Sequence, residues 1–177
     1  MKQFRILFIE NIIIFIIFGL VYGQRLYMKY KRKSQTPNSF QIQNYKSKKA
    51  IRPYNAQLED GNAIIQYEPK NWECTTWQTI EIEPNIFLLK DLYTQKTFQP
   101  INVPKEGARL YQVPMGGSKL QHWEFIKYDK DQYYIRLKDY DLYITSISNE
   151  VNEPLVLEKI NNSKNQIWRL NSQQPIF

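Results

Sequence analysis

Asn165-Gln166-Ile167-Trp168-Arg169-Leu170 closes the last of three stretches that read alike. Its Gln-x-Trp centre returns earlier as Gln121-His122-Trp123, and a looser counterpart, Thr75-Thr76-Trp77, precedes both. Trp77, Trp123 and Trp168 are separated by 46 and then 45 residues. Self-similarity at a fixed period of this size marks a repeat architecture and takes precedence over local propensity in deciding the fold.

Working outward from the tryptophans, further positions fall into register. Lys49-Ala50-Ile51-Arg52-Pro53 matches Lys96-Thr97-Phe98-Gln99-Pro100, and Leu142-Tyr143-Ile144 takes the same place in the third stretch. Gly61-Asn62-Ala63-Ile64-Ile65-Gln66-Tyr67 matches Gly107-Ala108-Arg109-Leu110-Tyr111-Gln112-Val113, with Asn152-Glu153-Pro154-Leu155-Val156-Leu157 as the third version. The openings agree as Leu89-Lys90-Asp91 and Leu137-Lys138-Asp139, with Phe40-Gln41-Ile42-Gln43 a looser first copy. Each unit then holds four short alternating runs between turn residues and no useful helical period. The units span about 38–83, 84–129 and 130–171. One such unit cannot bury its apolar face, whereas three closed around an axis can, and closure also removes exposed strand edges.

Gln-x-Trp endings, each preceded by a short Leu/Val/Ile strand and a polar turn, resemble those of the ricin-type β-trefoil family. The resemblance covers roughly 38–171, is closest in the third unit, and weakens in the first, where Thr75 replaces the glutamine. It implies an all-β chain: a β-trefoil of three four-stranded repeats of ~45 residues over 38–177, behind one N-terminal transmembrane helix. It also implies that Trp77, Trp123 and Trp168 pack in the core and that Gln121 and Gln166 bond to backbone, as a buried indole N–H and a buried amide require. His122, at the central position of its motif, is expected to be a surface or loop side chain.

Sugar sites of the family imply an Asp after the first strand, an aromatic platform, and an Asn before Gln-x-Trp. The third unit offers Asp139 or Asp141 with Asn165, but Glu158-Lys159-Ile160 stands at the platform. The second has Asp91 but Leu120 in place of the Asn, and the first has Tyr67 and Asn71 without the Asp. No unit is complete, so Asp139, Asp141 and Asn165 are the candidate carbohydrate contacts, against a plainer reading as turn caps.

The chain of 177 residues carries a net charge of +7, unevenly placed. Residues 1–37 hold seven basic side chains against Glu10, while 38–177 hold 17 basic and 16 acidic ones. The globular part is nearly neutral, which argues against a nucleic-acid partner. Ile6 to Gly23 is almost wholly apolar and spans about 27 Å as a helix, enough for a bilayer core. We read 1–23 as a retained membrane anchor and 24–37 as a basic juxtamembrane linker, whose Arg25, Lys29, Lys31, Arg32 and Lys33 face the membrane interface and anionic headgroups. A cleavable signal peptide ending near Gly23 is the alternative, opposed by those five basic residues; a buried core helix is a third reading. The positive-inside tendency places the C-terminal domain on the cytosolic or matrix side.

A single cysteine, Cys74, forbids an internal disulfide, and with one histidine the chain lacks the inventory for a soft-ligand metal site or a Cys/His dyad. No phosphate-binding Gly-rich loop, nucleophile elbow or zinc motif is present, so no cofactor and no catalysis are expected. The expected function is an accessory subunit of a larger membrane complex, with the mitochondrial inner membrane as the leading location and other subunits and lipid as partners. The alternative is a membrane-tethered or secreted lectin with carbohydrate as ligand.

Overall fold

Helix α1 runs unbroken from Lys2 to Ser34 in the computed structural model, which describes the backbone of residues 2–177 and the side chains of 12–177. The Glu10 carboxylate, like the side chains of Lys2 and Arg5, lies outside the described residues. Residues 24–34, part of the expected linker, are helical and continue α1. Gln, Arg, Leu, Met and Lys fill that stretch, and no breaker precedes Pro37. Lys31, Arg32 and Lys33 occupy the last turn, where cations complement the helix dipole. Pro37 then sits in a one-turn 3-10 helix, Thr36–Asn38. The part of α1 from Ile12 to Ser34 is long and apolar enough to cross a membrane or to act as a signal sequence.

Residues 1–34 and 35–177 form two compact units. The second holds β1 (Ser39–Asn44), β2 (Ala50–Pro53), β3 (Ile64–Tyr67), β4 (Trp77–Glu83), β5 (Ile86–Asp91) and β6 (Thr97–Pro100). There follow β7 (Ala108–Val113), β8 (Trp123–Asp129), β9 (Gln132–Leu137), β10 (Tyr143–Thr145), β11 (Val156–Glu158) and β12 (Ile167–Ser172). Six of these close an antiparallel ring in the order β1-β4-β5-β8-β9-β12, sealed by β12 against β1 with Trp168 opposite Asn44. The remaining strands make the hairpins β2–β3, β6–β7 and β10–β11. Those hairpins join one another through the pairs Ala63–Tyr111, Arg109–Val156 and Ile65–Pro154. Ring and hairpins thus leave few open edges.

The core is built in triplets, one residue from each stretch. Ile42, Leu89 and Ile135 come from the ring; Ile51, Phe98, Ile144 and Ile64, Leu110, Leu155 from the hairpins; all are fully buried. Trp77, Trp123 and Trp168 fill the centre and are likewise inaccessible. The Trp77 indole N–H donates to the Ile51 carbonyl (2.9 Å) and that of Trp168 to the Ile144 carbonyl (2.8 Å). The Trp123 N–H has no partner among the described residues, although its ring lies 5.0 Å from that of Phe98, the counterpart of Ile51.

Candidate functional site

The turn that leaves the ring after β1, β5 or β9 is set by one residue. After β1, Asn44 Oδ1 accepts from the amides of Lys46 and Ser47 (both 3.0 Å), and Lys48 N–H donates to the Asn44 carbonyl with φ 60 at Lys48. After β5, Asp91 Oδ1 accepts from Thr94 N–H (2.7 Å), and Gln95, at φ 59, repeats the backbone bond. Such caps are the usual work of Asn and Asp in turns. The third stretch has Leu137, which is fully buried and has nothing to accept with. Its turn closes differently: Tyr140 N–H donates to the Leu137 carbonyl (3.1 Å) and Asp139 takes the positive φ, 66°. Asp139, Tyr140 and Asp141 are left facing outward and exposed.

They form one wall of an open cleft of about 420 Å³, completed by Ile86 of β5, Glu124 of β8, and Arg136 and Lys138. Arg136 Nε donates to Glu124 Oε2 (2.8 Å) across the β8–β9 pair, which raises the guanidinium pKa further above its already high value. Lys138 pairs with Glu83, and its hydrogen bond holds that carboxylate below its ordinary pKa. Two cations of the cleft are therefore committed to Glu124 and Glu83, while Asp139 and Asp141 line it together with Tyr140. Carboxylate acceptors beside an aromatic ring can engage a polyhydroxylated ligand. The described residues contain no cluster of three or more His, Cys, Asp or Glu able to hold a metal ion.

The sequence-predicted contacts are only partly brought together. Asp139 and Asp141 share the cleft; Asn165 does not line it. Asn165 lies in the 3-10 turn Lys164–Gln166 before β12, where its carbonyl accepts from Asn44 Nδ2 (2.9 Å) and Ser146 N–H (3.1 Å). Its side-chain oxygen accepts from the Ser163 hydroxyl. Asp91 is wholly buried, and burial pushes its carboxyl up to about 7. In the first stretch the Arg52 guanidinium lies over the Tyr67 ring, 3.9 Å from its centre, and the Trp72 ring is 6.3 Å away. Asn71 is tied to the C-terminal segment, donating to the Gln174 carbonyl and accepting from Ile176 N–H.

The glutamines of the repeated motif bond to backbone. Gln121 donates to the Pro114 carbonyl and accepts from Gly116 N–H; Gln166 donates to the Lys159 carbonyl and accepts from Asn161 N–H. Thr75 serves more briefly, its hydroxyl donating to the Lys70 carbonyl. His122 is a half-buried loop side chain between the 3-10 turn and β8, and its Nδ1 is enclosed without a partner among the described residues. Desolvation and then the Lys138 charge hold its pKa down. On α1, Arg25, Lys29, Lys31 and Lys33 are exposed and Arg32 is half-buried.

Glu124, Arg136, Lys138 and Tyr140 were not singled out from sequence, because the Glu124–Arg136 pair becomes visible only once the β8–β9 register is known. Gln66 and Gln112 occupy matching positions in the first two stretches, with no sequence signal of what they bond. The Gln66 amide donates to the Ser148 and Glu150 carbonyls, and the Gln112 amide to those of Gln57 and Glu59. Each staples the hairpin loop of another stretch.

No protein-family model matches the chain, and no curated protein matches it in sequence. Solved structures do match. A crystal structure of the designed 3-fold symmetric protein ThreeFoil is 20% identical with a TM-score of 0.72, over 75% of this chain and 97% of that one. The Macrolepiota procera ricin B-like lectin, solved with lactose, is 15% identical with a TM-score of 0.64, over 75% and 94%. The fold is a β-trefoil. An exo-β-1,3-galactanase from Clostridium thermocellum has a TM-score of 0.71 at 16% identity, but only 30% of that enzyme is covered. At these identities the likeness carries the fold and leaves the ligand to be argued from the residues.

Proposed function

We propose that this chain is a non-catalytic accessory subunit of a larger membrane assembly, anchored by α1 and offering its trefoil as a protein-interaction module. The observation that carries the reading is the apolar stretch of α1, none of whose candidate span is buried within the chain. Ile12 to Leu20 and on to Val21 expose large aliphatic and aromatic side chains, Phe15 at 77% and Phe18 at 70%. A surface of this kind is stable only in lipid or against other apolar helices. The trefoil adds support, since the platform ring of its first stretch is occupied by Arg52 and the Asp of its second is buried. The mitochondrial inner membrane is the proposed bilayer, with the trefoil on the matrix side. The basic flank Arg25–Lys33 and a lone, buried Cys74 suit a positive-inside, reducing face. Native purification in mild detergent, with mass spectrometry of what co-migrates, tests this. Fixed stoichiometry with a large assembly is expected; a lone 21.3 kDa species in detergent overturns it.

A second reading, a membrane-tethered lectin, is favoured by the Asp139–Tyr140–Asp141 cleft and by the fold it shares with sugar-binding proteins. Glycan-array binding by residues 35–177, lost at least about ten-fold (~1.4 kcal/mol) in Asp139→Asn/Asp141→Asn, is its expected result. Absence of binding on the array removes it.

A further inference from the structure

Gln66 and Gln112 make two steps of a three-step cycle. Gln112 of β7 staples the loop of the first hairpin at Gln57 and Glu59, and Gln66 of β3 staples that of the third at Ser148 and Glu150. The backbone bond beside each staple recurs in all three: Gly61 N–H to Gln112, Asn152 N–H to Gln66, and Gly107 N–H to Leu157 (2.8, 2.9 and 2.9 Å). The donating residues Gly61, Asn152 and Gly107 all have positive φ. The third step alone has lost its side chain, because Leu157 of β11 has no amide to donate. The unstapled loop is Ile101–Glu106 of the β6–β7 hairpin.

That loop differs in surface as well as in bonding. Val103 is 80% exposed, the most exposed large hydrophobic side chain among the described residues, and Ile101 is 54% exposed. Beneath them opens a cavity of about 230 Å³ whose lining includes Pro100, Ile101, Val103, Tyr111, Lys105 and Arg109 and no carboxylate. Its volume lies below that of an ordinary small-molecule site and suits a side chain of a docking segment. Lys105 and Arg109 are exposed and pair with no carboxylate among the described residues, while the adjacent Glu106 is turned to Lys159 (3.7 Å). Two uncommitted cations flanking an apolar loop complement a segment that is acidic and apolar in turn.

We propose that the Ile101–Glu106 loop and its cavity dock an acidic, apolar-anchored segment of a neighbouring protein subunit. This rests on the subunit reading above and names the face that reading uses. The apolar half of the lining sets a protein segment apart from a phosphate or a lipid headgroup, either of which would leave Ile101 and Val103 uncovered.

The test uses the full chain in its detergent-solubilised native state. A photoreactive amino acid replaces Val103, and in a control replaces Leu58, which lies in the loop stapled by Gln112. Cross-linking from position 103 to a net-acidic stretch of another subunit is expected. Lys105→Glu/Arg109→Glu should lower the yield at least ten-fold with an unchanged trefoil melting point; the neutral pair Lys105→Gln/Arg109→Gln should lower it less. Cross-linking to a second copy of this chain, to lipid only, or equally from position 58 would overturn the docking face. So would no cross-link from a chain that still co-migrates with an assembly, an outcome that leaves the subunit reading intact. Migration alone overturns both.

Discussion

Asp91 stands in the second stretch where Asn44 stands in the first, and the two show what one atom changes. Asn44 accepts turn amides through Oδ1 and donates through Nδ2 to the carbonyls of Asn165 and Ile167. Asp91 keeps the turn cap, but its Oδ2 is buried without a partner, and Thr76, the counterpart of Ile167, aims its carbonyl at the adjoining Leu92 N–H. A proton on Asp91 would do the work of the amide. Its pKa, pushed to about 7 by burial with a contribution from Glu73, favours that form. Since the folded value is raised, the stabilisation is complete below the unfolded pKa of ~4 and is lost as pH rises through about 7. Asp91→Asn should therefore stabilise the fold by about 1–3 kcal/mol at pH 8 and by little at pH 4, read as the difference in urea midpoints between variant and wild type. Taking that difference removes the opposite trend of His122, whose lowered pKa costs stability as pH falls. The tryptophans give a second prediction at this scale. Trp77→Phe and Trp168→Phe each break an indole hydrogen bond and Trp123→Phe breaks none, so the first two should cost about 1 kcal/mol more by denaturant titration. Equal costs would mean that Trp123 finds a partner. The resemblance of the repeated Gln-x-Trp endings implied that all three rings lie in the core, and all three are fully buried. The missing Trp123 bond was not implied, since it depends on how Phe98 seats the ring.

At the scale of elements, hairpin loops should differ in stability according to their staples. Amide exchange is expected to be slowest to open around 57–61 and 148–152 and faster around 103–107, where Leu157 supplies no side-chain bond. Gln66→Leu leaves the Ser148 and Glu150 carbonyls and the Ser146 hydroxyl without their amide partner. It should cost about 1–3 kcal/mol and speed exchange at 148–152 while sparing 57–61. Uniform acceleration across all three loops would show that Gln66 acts on the core as a whole. Strand positions followed from alternation and turn residues, but the turns themselves were harder to read. Leu137-Lys138-Asp139 aligns with Leu89-Lys90-Asp91 by letter, yet the structural partner of Asp91 is Leu137, since Asp91 N–H donates to the Lys96 carbonyl as Leu137 N–H does to that of Leu142. A two-residue offset between sequence match and hydrogen-bond register hid the cleft. α1 runs on past the change from apolar to basic side chains at Gly23, because the residues that follow have good helix propensity.

At the scale of the molecule, charge and apolarity are partitioned along the chain. Residues 1–37 hold most of the net charge and the apolar span, while 38–177 are close to neutral, with 17 basic and 16 acidic side chains. That partition, and the closing of β12 on β1 that the triple spacing implied, were both within reach of the sequence. The choice of binding face was not, because it turns on which of three equivalent loops has lost its staple. Residues 35–177 form a unit with its own buried core and a sealed ring, so they should fold without α1. The expected result is a detergent-free monomer with a β-type circular dichroism spectrum, melting within about 2 °C of the full chain in detergent, a difference well under 1 kcal/mol for a unit of this size. Near-neutral charge gives it little electrostatic protection against self-association, so its solubility should fall as pH rises from 6 towards 8 and the small positive excess disappears. If Val103 and Ile101 drive what association occurs, Val103→Asp should restore solubility at pH 8 and leave the melting point in place. Aggregation unchanged by Val103→Asp would move the sticky surface elsewhere on the trefoil, and a lowered melting point without α1 would show that the β unit depends on its anchor.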